Sequence, residues 1–191
     1  INARTPTQDQ ESQPKIMSKS TQHNRQAVEK TEQQARQAFQ PHDHAACIAQ
    51  TVAAAEEKCQ LERSRLAETR RKVLDLLLEE QRPLGAYAIL EQLRSRGQKA
   101  QPPVAYRALD FLIENGLAHR IESRNAYVAC SDPTGCNAPT FFICQKCDRV
   151  AETHSSHGRS PVQAAAEEMG FIVETELREA NGTCPTCLKT P

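Results

Sequence analysis

Two pairs of cysteines, each with two residues between its members, constrain this chain more than any other feature. Cys144 and Cys147 follow an apolar run in FFICQKCDRV, and Cys184 and Cys187 lie near the end of the chain in NGTCPTCLKT. Closed structural zinc sites take four ligands in a tetrahedron, and a CxxC turn presents two thiolates at a suitable separation. The two pairs therefore predict a structural zinc site that joins the first strand of a small unit to its last.

The same cysteines have two alternative uses, as disulfides or as redox thiols. The first fifteen residues, INARTPTQDQESQPK, lack the apolar core of an export signal, so we expect a cytoplasmic protein in which paired cysteines more often bind metal. CPTC looks like a redox motif, but such a motif normally begins a helix, and only residues 188–191 follow Cys187. A thiol redox protein is nevertheless retained as the alternative from another functional class.

Helical periodicity dominates the middle of the chain. An Ala-rich segment begins near Ala45, and three amphipathic segments follow, separated by QRPLG and by a Gly97 stop. Two short strand-like pieces, LAHRIES and NAYVAC, come next. This order predicts a winged helix-turn-helix, in which one helix lies in the DNA major groove. The residues expected to face its core include Leu66, Val73, Leu74, Leu77, Ala86, Ile89, Leu90, Leu93, Val104, Ala108, Leu109 and Leu112.

The character of the chain changes after Cys130. SDPTGCNAP reads as a loop, TFFIC and RVAET as short strands, SPVQAAAEEMG as a Ser-capped helix, and FIVETELREANG as one long strand. We therefore divide the chain into a disordered polar extension (1–44), a winged-helix domain (45–130) and a small α/β unit (131–191). The predicted fold class is α+β.

Charge favours the middle of the chain for contact with phosphate. The whole chain has 24 basic and 24 acidic residues. Residues 61–125 carry 12 basic and 9 acidic side chains, whereas residues 126–191 carry 5 and 8. No apolar run approaches the roughly 20 residues of a membrane span, so no membrane partner is expected.

The segment PPVAYRALDFLIENGLAHRIES, followed by NAYVAC and the two CxxC pairs, resembles the ferric uptake regulator family over about residues 45–189. It is most similar to the zinc-responsive branch, because no His-rich run precedes the first CxxC, Ala86, Tyr87 and Leu90 form an AYxxL pattern, and Cys130 ends the second wing strand. The resemblance implies a non-enzymatic, homodimeric repressor that binds double-stranded operator DNA when zinc-loaded and controls zinc uptake genes. It makes residues 131–191 the dimerisation domain and implies about two zinc ions per chain.

The resemblance also implies a regulatory zinc site. Its ligands would be His119 and Cys130 from the wing and Glu152 from the strand after the first CxxC. The family often supplies a further His from the intervening loop, which this sequence lacks. Cys136 is the nearest substitute, with His154 and His157 as rivals. The alternative for His119 is a polar surface residue without a ligand role.

Three residues resemble DNA-contacting positions of the family: Tyr87, Tyr106 and Arg107. Arginine is the side chain best suited to guanine O6 and N7, whereas either tyrosine could instead pack in the core. The family's PTVYR reads PVAYR here, so the threonine that could cap this helix is absent. Cys47 and Cys59 belong to no motif and are interpreted as buried helix residues.

Two further readings stay open. An iron- or peroxide-responsive regulator of the same family is the nearest alternative, although peroxide sensing normally needs a site rich in His and Asp. A zinc-buffering protein without a DNA role is less consistent with an Arg-bearing amphipathic helix. For this chain we expect no small-molecule substrate other than a metal ion.

Overall fold

The structure is a computed structural model that describes residues 35–135, 138–154 and 160–189. Most of the extension expected at 1–44 therefore lies outside the described residues. Four helices come first: α1 (His44–Leu61), α2 (Glu68–Glu79), α3 (Ala86–Ser95) and α4 (Pro102–Glu114). The Asp43 side chain accepts the backbone N–H of Ala46 and so caps α1. None of the helices in these ranges combines the length and apolar character needed to span a bilayer.

Helices α1 to α4 enclose the main apolar core, to which α1 contributes Val52, Ala55 and Cys59. Their inward faces are mostly those that the periodicity predicts. On α4, however, the buried residue of the first turn is Ala105, and Val104 is 41% exposed. The prediction of Val104 as a core residue is therefore wrong, because the buried stripe passes through positions 105, 108, 109 and 112. The largest fully buried side chains of this core are Val73, Leu74, Leu76, Ile89, Leu93, Leu109, Leu112 and Leu117.

A small antiparallel wing follows α4. Strand β1 (Ala118–Ile121) pairs with β2 (Ala126–Ala129), and a 3-10 turn at Glu122–Arg124 joins them. Asn125 closes this turn in the left-handed conformation, with φ 46°. Leu84, before α3, forms an isolated bridge to Tyr127 with two N···O distances of 2.9 Å. The wing is thereby attached to the helices on which it packs.

The second unit is a three-stranded sheet of order β4-β3-β5. Strand β3 (Pro139–Cys144) pairs antiparallel with β4 (Val150–His154) and parallel with β5 (Glu179–Gly182). Helix α5 (Pro161–Glu168) lies between β4 and β5 in the chain and begins with a capping box formed by Ser160 and Gln163. A short helix, α6 (Pro185–Lys189), follows β5. The predicted α+β fold, a winged helix followed by a small α/β unit, is confirmed.

The long strand predicted over residues 171–182 is wrong for most of its length. Only residues 179–182 form a strand, and Phe171, Ile172 and Leu177 are 65%, 83% and 63% exposed. An alternating pattern gives a strand only where a neighbouring strand accepts its hydrogen bonds. In the described part of the chain, β3 offers that edge to residues 179–182 alone.

A second apolar cluster connects the wing with the three-stranded sheet. It contains Ile121 and Val128 from the wing and Phe141 and Ile143 from β3, with Val150 packed against them. The carboxylate of Glu179 also accepts the backbone N–H groups of Glu122 and Ser123 at 2.7 and 3.2 Å. The wing and the sheet therefore share both a core and polar contacts.

Candidate metal centres and nucleic-acid interface

The four paired cysteines meet at one end of the three-stranded sheet. The parallel register places Cys144 opposite Gly182, so both strands end side by side and both CxxC turns begin there. The ligand atoms of Cys144, Cys147, Cys184 and Cys187 all lie within 4.8 Å of one another. The Cys147 and Cys184 sulfurs are 3.8 Å apart. Two thiolates on a tetrahedral zinc ion, each about 2.3 Å from the metal, would be about 3.8 Å apart, so this donor set fits zinc.

Backbone N–H groups are aimed at this sulfur cluster. The N–H of Cys184 donates to the Cys144 sulfur at 3.3 Å, and the N–H of Cys187 donates to the Cys184 sulfur at 3.4 Å. Burial raises the pKa of Cys144, but the N–H groups that point at its sulfur outweigh burial and lower the pKa from 9.0 to about 6. Hydrogen bonding to Cys184, together with burial, raises the pKa of Cys187 to about 12. These N–H groups favour a thiolate at Cys144, and zinc binding to the four thiols would displace protons.

The second CxxC does begin a helix. Pro185 to Lys189 form α6 directly after Cys184, contrary to the expectation that too few residues remained. The sulfurs of this pair nevertheless face the other CxxC turn, whose Cys147 sulfur lies 3.8 Å from Cys184. A redox CxxC needs an accessible attacking thiol, whereas Cys144 and Cys184 are buried. The arrangement is that of a closed four-thiolate site.

A second donor cluster lies where the wing meets the sheet. His119 on β1, Cys130 just after β2 and Glu152 on β4 place their ligand atoms within 4.8 Å of one another. His119 Nε2 is 2.9 Å and Cys130 Sγ is 3.7 Å from Glu152 Oε1. The Ser131 backbone N–H donates to Glu152 Oε2 at 2.7 Å. The structure thus brings together three of the predicted regulatory ligands, and His119 is not a surface residue, since its side chain is only 15% exposed.

The chemistry of this cluster also fits zinc. Burial raises the pKa of the Glu152 carboxyl, but hydrogen bonding and charge from His119 and the Ser131 N–H outweigh burial, so its pKa lies below the usual value. An ionised carboxylate, a thiol and an imidazole form a set of borderline softness that suits zinc. The three donors come from separate elements, so an ion bound to them would connect the wing to the sheet.

Three residues are candidates for the fourth ligand of the regulatory site. Cys136 and His157 lie outside the described residues. His154, the last residue of β4, is buried, and its Nε2 is 3.4 Å from Glu152 Oε1.

A cavity of about 390 Å³ opens beside the wing cluster, between α1 and the wing. Cys130 and Glu152 line it together with His42, His44 and Cys47. Cys47 is only half-buried, so its interpretation as a buried helix residue is wrong, whereas Cys59 is buried as expected. Sequence periodicity did not connect the start of α1 with this site, because the contact depends on how α1 packs against the wing.

The predicted DNA-contacting side chains are open to solvent. Tyr87 on α3 is 77% exposed and Tyr106 on α4 is 41% exposed, so neither packs in the core. Arg107 is exposed and makes no hydrogen bond or ion pair among the described residues, in contrast to Arg96 and Arg71, which pair with carboxylates. Helix α4 has no side-chain cap, as the missing threonine predicts, and its first turn contains Pro102 and Pro103. An exposed arginine near a helix N-terminus is suited to a nucleic-acid groove.

The fold and the two donor clusters define a metal-binding winged-helix protein. No family model matches the sequence. The zinc uptake regulation protein of Escherichia coli strain K12 is 37% identical over 141 residues, which are 72% of this chain and 81% of the relative. The chain therefore belongs to the ferric uptake regulator family, in the branch of the zinc uptake regulation proteins.

Two solved structures extend this similarity. A zinc uptake regulator in complex with zinc and DNA is 34% identical, with a TM-score of 0.69 over 74% of this chain and 95% of that chain. The holo form of XcZur is 36% identical, with a TM-score of 0.66 over 72% of this chain and 96% of that chain.

Proposed function

We propose that this chain is a zinc-responsive transcriptional repressor. When zinc-loaded, it acts in the cytoplasm, where it binds double-stranded operator DNA as a homodimer and controls genes for zinc uptake. The observation that carries the proposal is the cluster of His119, Cys130 and Glu152 at the junction of wing and sheet, in which Cys130 and Glu152 are buried. The similarity to a regulator solved with zinc and DNA supports the same reading.

The proposal assigns different tasks to the two donor clusters. The four cysteines would hold a structural zinc that closes the small unit, because they connect the ends of β3 and β5. The wing cluster would hold the regulatory zinc, because its donors come from the wing and from β4. This gives about two zinc ions per chain.

The wing cluster can regulate DNA binding through the position of α4, which carries Tyr106 and Arg107. Bound zinc would supply a cationic centre shared by the wing and the sheet. His119 belongs to the wing, which packs on α2 and α4, whereas Glu152 belongs to the sheet. Glu152 accepts hydrogen bonds from the Ser131 N–H and the Cys130 thiol and lies 2.9 Å from His119 Nε2, and a bound ion would replace these contacts with direct ligand bonds. Occupancy would therefore favour one wing–sheet orientation over others by population shift.

The dimer is supported by several exposed apolar side chains on the small unit. Exposed apolar side chains that form one patch typically mark protein interfaces, and a second copy would cover them in a symmetric pair. Such a pair would present two α4 helices to two half-sites of a palindromic operator. The exposed apolar residues are Val162, Met169, Phe171, Ile172 and Leu177.

A gel shift on the organism's zinc-importer promoters tests the function. Protein with its structural zinc in place is compared in added zinc, in added iron(II) and in a chelator, with a scrambled promoter as control. We expect a retarded complex with zinc only. Binding that requires iron would instead support an iron-responsive regulator, and zinc-independent binding would overturn the proposed response. A chain that contains no zinc and has disulfide reductase activity would support the redox alternative.

A further inference from the structure

The regulatory cluster needs one more protein donor or a water molecule. Zinc takes four ligands, and sites that keep a water are typically catalytic. His119, Cys130 and Glu152 supply three. A site that only controls conformation resembles a structural site, and structural zinc sites are closed by four protein ligands.

His154 lies on the same face of β4 as Glu152, close to one member of this set, although its ring nitrogens are not among the atoms that all lie within 4.8 Å of one another. Side chains two residues apart on a strand point to the same side, so Glu152 and His154 both face the junction. Strand pairing fixes these positions, since Glu152 lies opposite Phe141 and His154 lies opposite Pro139. The Nε2 atom of His154 is 3.4 Å from Glu152 Oε1. A nitrogen and an oxygen ligand on one tetrahedral zinc ion would be about 3.4 Å apart.

The imidazole of His154 also lacks the partners that a buried ring normally has. It is only 7% exposed, and neither Nδ1 nor Nε2 has a hydrogen-bond partner among the described residues. Buried polar groups are nearly always satisfied, and each exception calls for an explanation. A neutral imidazole nitrogen is a common zinc ligand, so a metal ion would satisfy Nε2.

His44 is the buried histidine with which His154 can be compared. Its ring nitrogens are also buried and without hydrogen-bond partners. Among the described residues, however, His44 forms no ion pair, whereas His154 lies within ion-pairing distance of the carboxylate shared by the cluster. Proximity to Glu152 therefore distinguishes His154.

We propose that Nε2 of His154 is the fourth ligand of the regulatory zinc and replaces the loop histidine that the sequence lacks. The site then contains one thiolate, two imidazoles and one carboxylate, with two ligands from one face of β4. The inference rests on the proposed function only in assigning zinc to this site. A site with Cys136 as the fourth ligand would instead contain two thiolates.

The number of sulfur ligands can be measured on the wild-type protein. Zinc is kept in the four-cysteine cluster, one equivalent of cobalt(II) is added to the second site, and X-ray absorption at the cobalt edge counts its sulfur neighbours. We expect one sulfur per cobalt and three lighter donors. Two sulfurs per cobalt would overturn the proposal in favour of a second thiolate, such as that of Cys136.

Three variants give an independent test through the affinity for the second zinc, measured by competition with a chromophoric chelator. His154→Ala should weaken this affinity by about 100-fold or more, since losing a ligand costs at least as much as losing an outer-shell partner. Cys136→Ser and the control His44→Ala should bind the second zinc like wild type. An unchanged His154→Ala, or a loss with Cys136→Ser of the same size, would overturn the proposal.

These measurements involve no DNA, so failure of the inference is distinguishable from failure of the function. One sulfur per cobalt with operator binding that ignores zinc would leave the ligand assignment intact and reject the repressor. Two sulfurs with zinc-dependent operator binding would reject His154 and keep the repressor.

Discussion

Cys144 on β3 lies directly opposite Gly182 on β5 in a parallel strand pair. Two neighbouring parallel strands end at the same edge of a sheet, so the turn after each strand starts from the same place. This register brings cysteines that are forty residues apart in sequence into one cluster, where the Cys184 N–H donates to the Cys144 sulfur. A structural zinc at this edge would hold together a sheet whose third strand contributes only four residues.

The first prediction concerns this structural site. Cys144→Ser should lower the zinc content from about two to about one per chain and should unfold the small unit or separate the dimer. Structural zinc supplies on the order of 10 kcal/mol in small domains. Metal analysis and size-exclusion chromatography measure both effects. Cys47→Ser, on α1 and outside both donor clusters, is the matched control. A dimeric Cys144→Ser protein with wild-type zinc content would contradict the assignment.

The second prediction concerns base recognition by Arg107. A bidentate contact between arginine and guanine is worth about 1–3 kcal/mol, so Arg107→Ala should weaken operator binding by roughly 5- to 150-fold. Binding to random DNA should fall less, because it depends on phosphate contacts. Fluorescence anisotropy on both DNAs measures the two affinities. The melting temperature should not change, because Arg107 is exposed and has no partner among the described residues.

Lys189→Ala is the control for Arg107→Ala, because it removes one positive charge from α6 in the acidic part of the chain. Its operator affinity should stay within about twofold of wild type. Equal losses of Arg107→Ala on operator and random DNA would reject the base contact and leave a phosphate contact.

The third prediction concerns pH and the contact between Glu179 and the wing. Burial raises the pKa of Glu179, but hydrogen bonds from Ser123 and Glu122 outweigh burial and lower it below the usual value. A carboxyl whose pKa is lower in the folded state stabilises the fold above its unfolded pKa of about 4.3, and the contribution disappears as pH falls through the folded pKa. Glu179→Gln should therefore cost about 1 kcal/mol at pH 7.

Urea unfolding at several pH values measures this contribution. The difference between wild type and Glu179→Gln should be largest near neutral pH and should vanish in acid, even though both proteins lose zinc there. Glu174→Gln, which removes an exposed carboxyl without a hydrogen bond or ion pair among the described residues, should show no such pH dependence. A difference that persists unchanged below pH 4 would mean that the charge of Glu179 is not what stabilises the wing contact.

Most of the fold could be predicted from local patterns. An Ala-rich stretch identified α1, helical periodicity with Pro and Gly boundaries identified α2 to α4, and the Ser cap predicted for α5 is observed at Ser160. The register of the buried stripe on α4 was predicted wrongly at Val104, because Val104 and Ala105 are both apolar and only packing decides which is buried. Apolar and polar residues alternate over residues 171–178 without forming a strand. A strand needs a neighbouring strand, and no local pattern reveals whether one is present.

The ligand types of the two metal sites could be predicted from the sequence, but the fourth ligand of the regulatory site could not. CxxC spacing alone indicated the structural site, and the family resemblance indicated His119, Cys130 and Glu152. The proximity of His154 to Glu152 depends on strand direction and burial, so sequence could name His154 only as one of three candidates. The approach of His42 and His44 to the same junction depends on the packing of α1.

The central claim is that zinc at the wing junction controls operator binding. The most direct test measures operator binding by anisotropy against buffered free zinc for wild type, Cys130→Ser and His119→Ala, with the structural zinc retained in all three. The account predicts that wild type gains operator affinity as the second zinc binds. Both variants should remain folded dimers with one zinc and should bind operator weakly at every zinc concentration. Variants that follow the wild-type zinc dependence would contradict it.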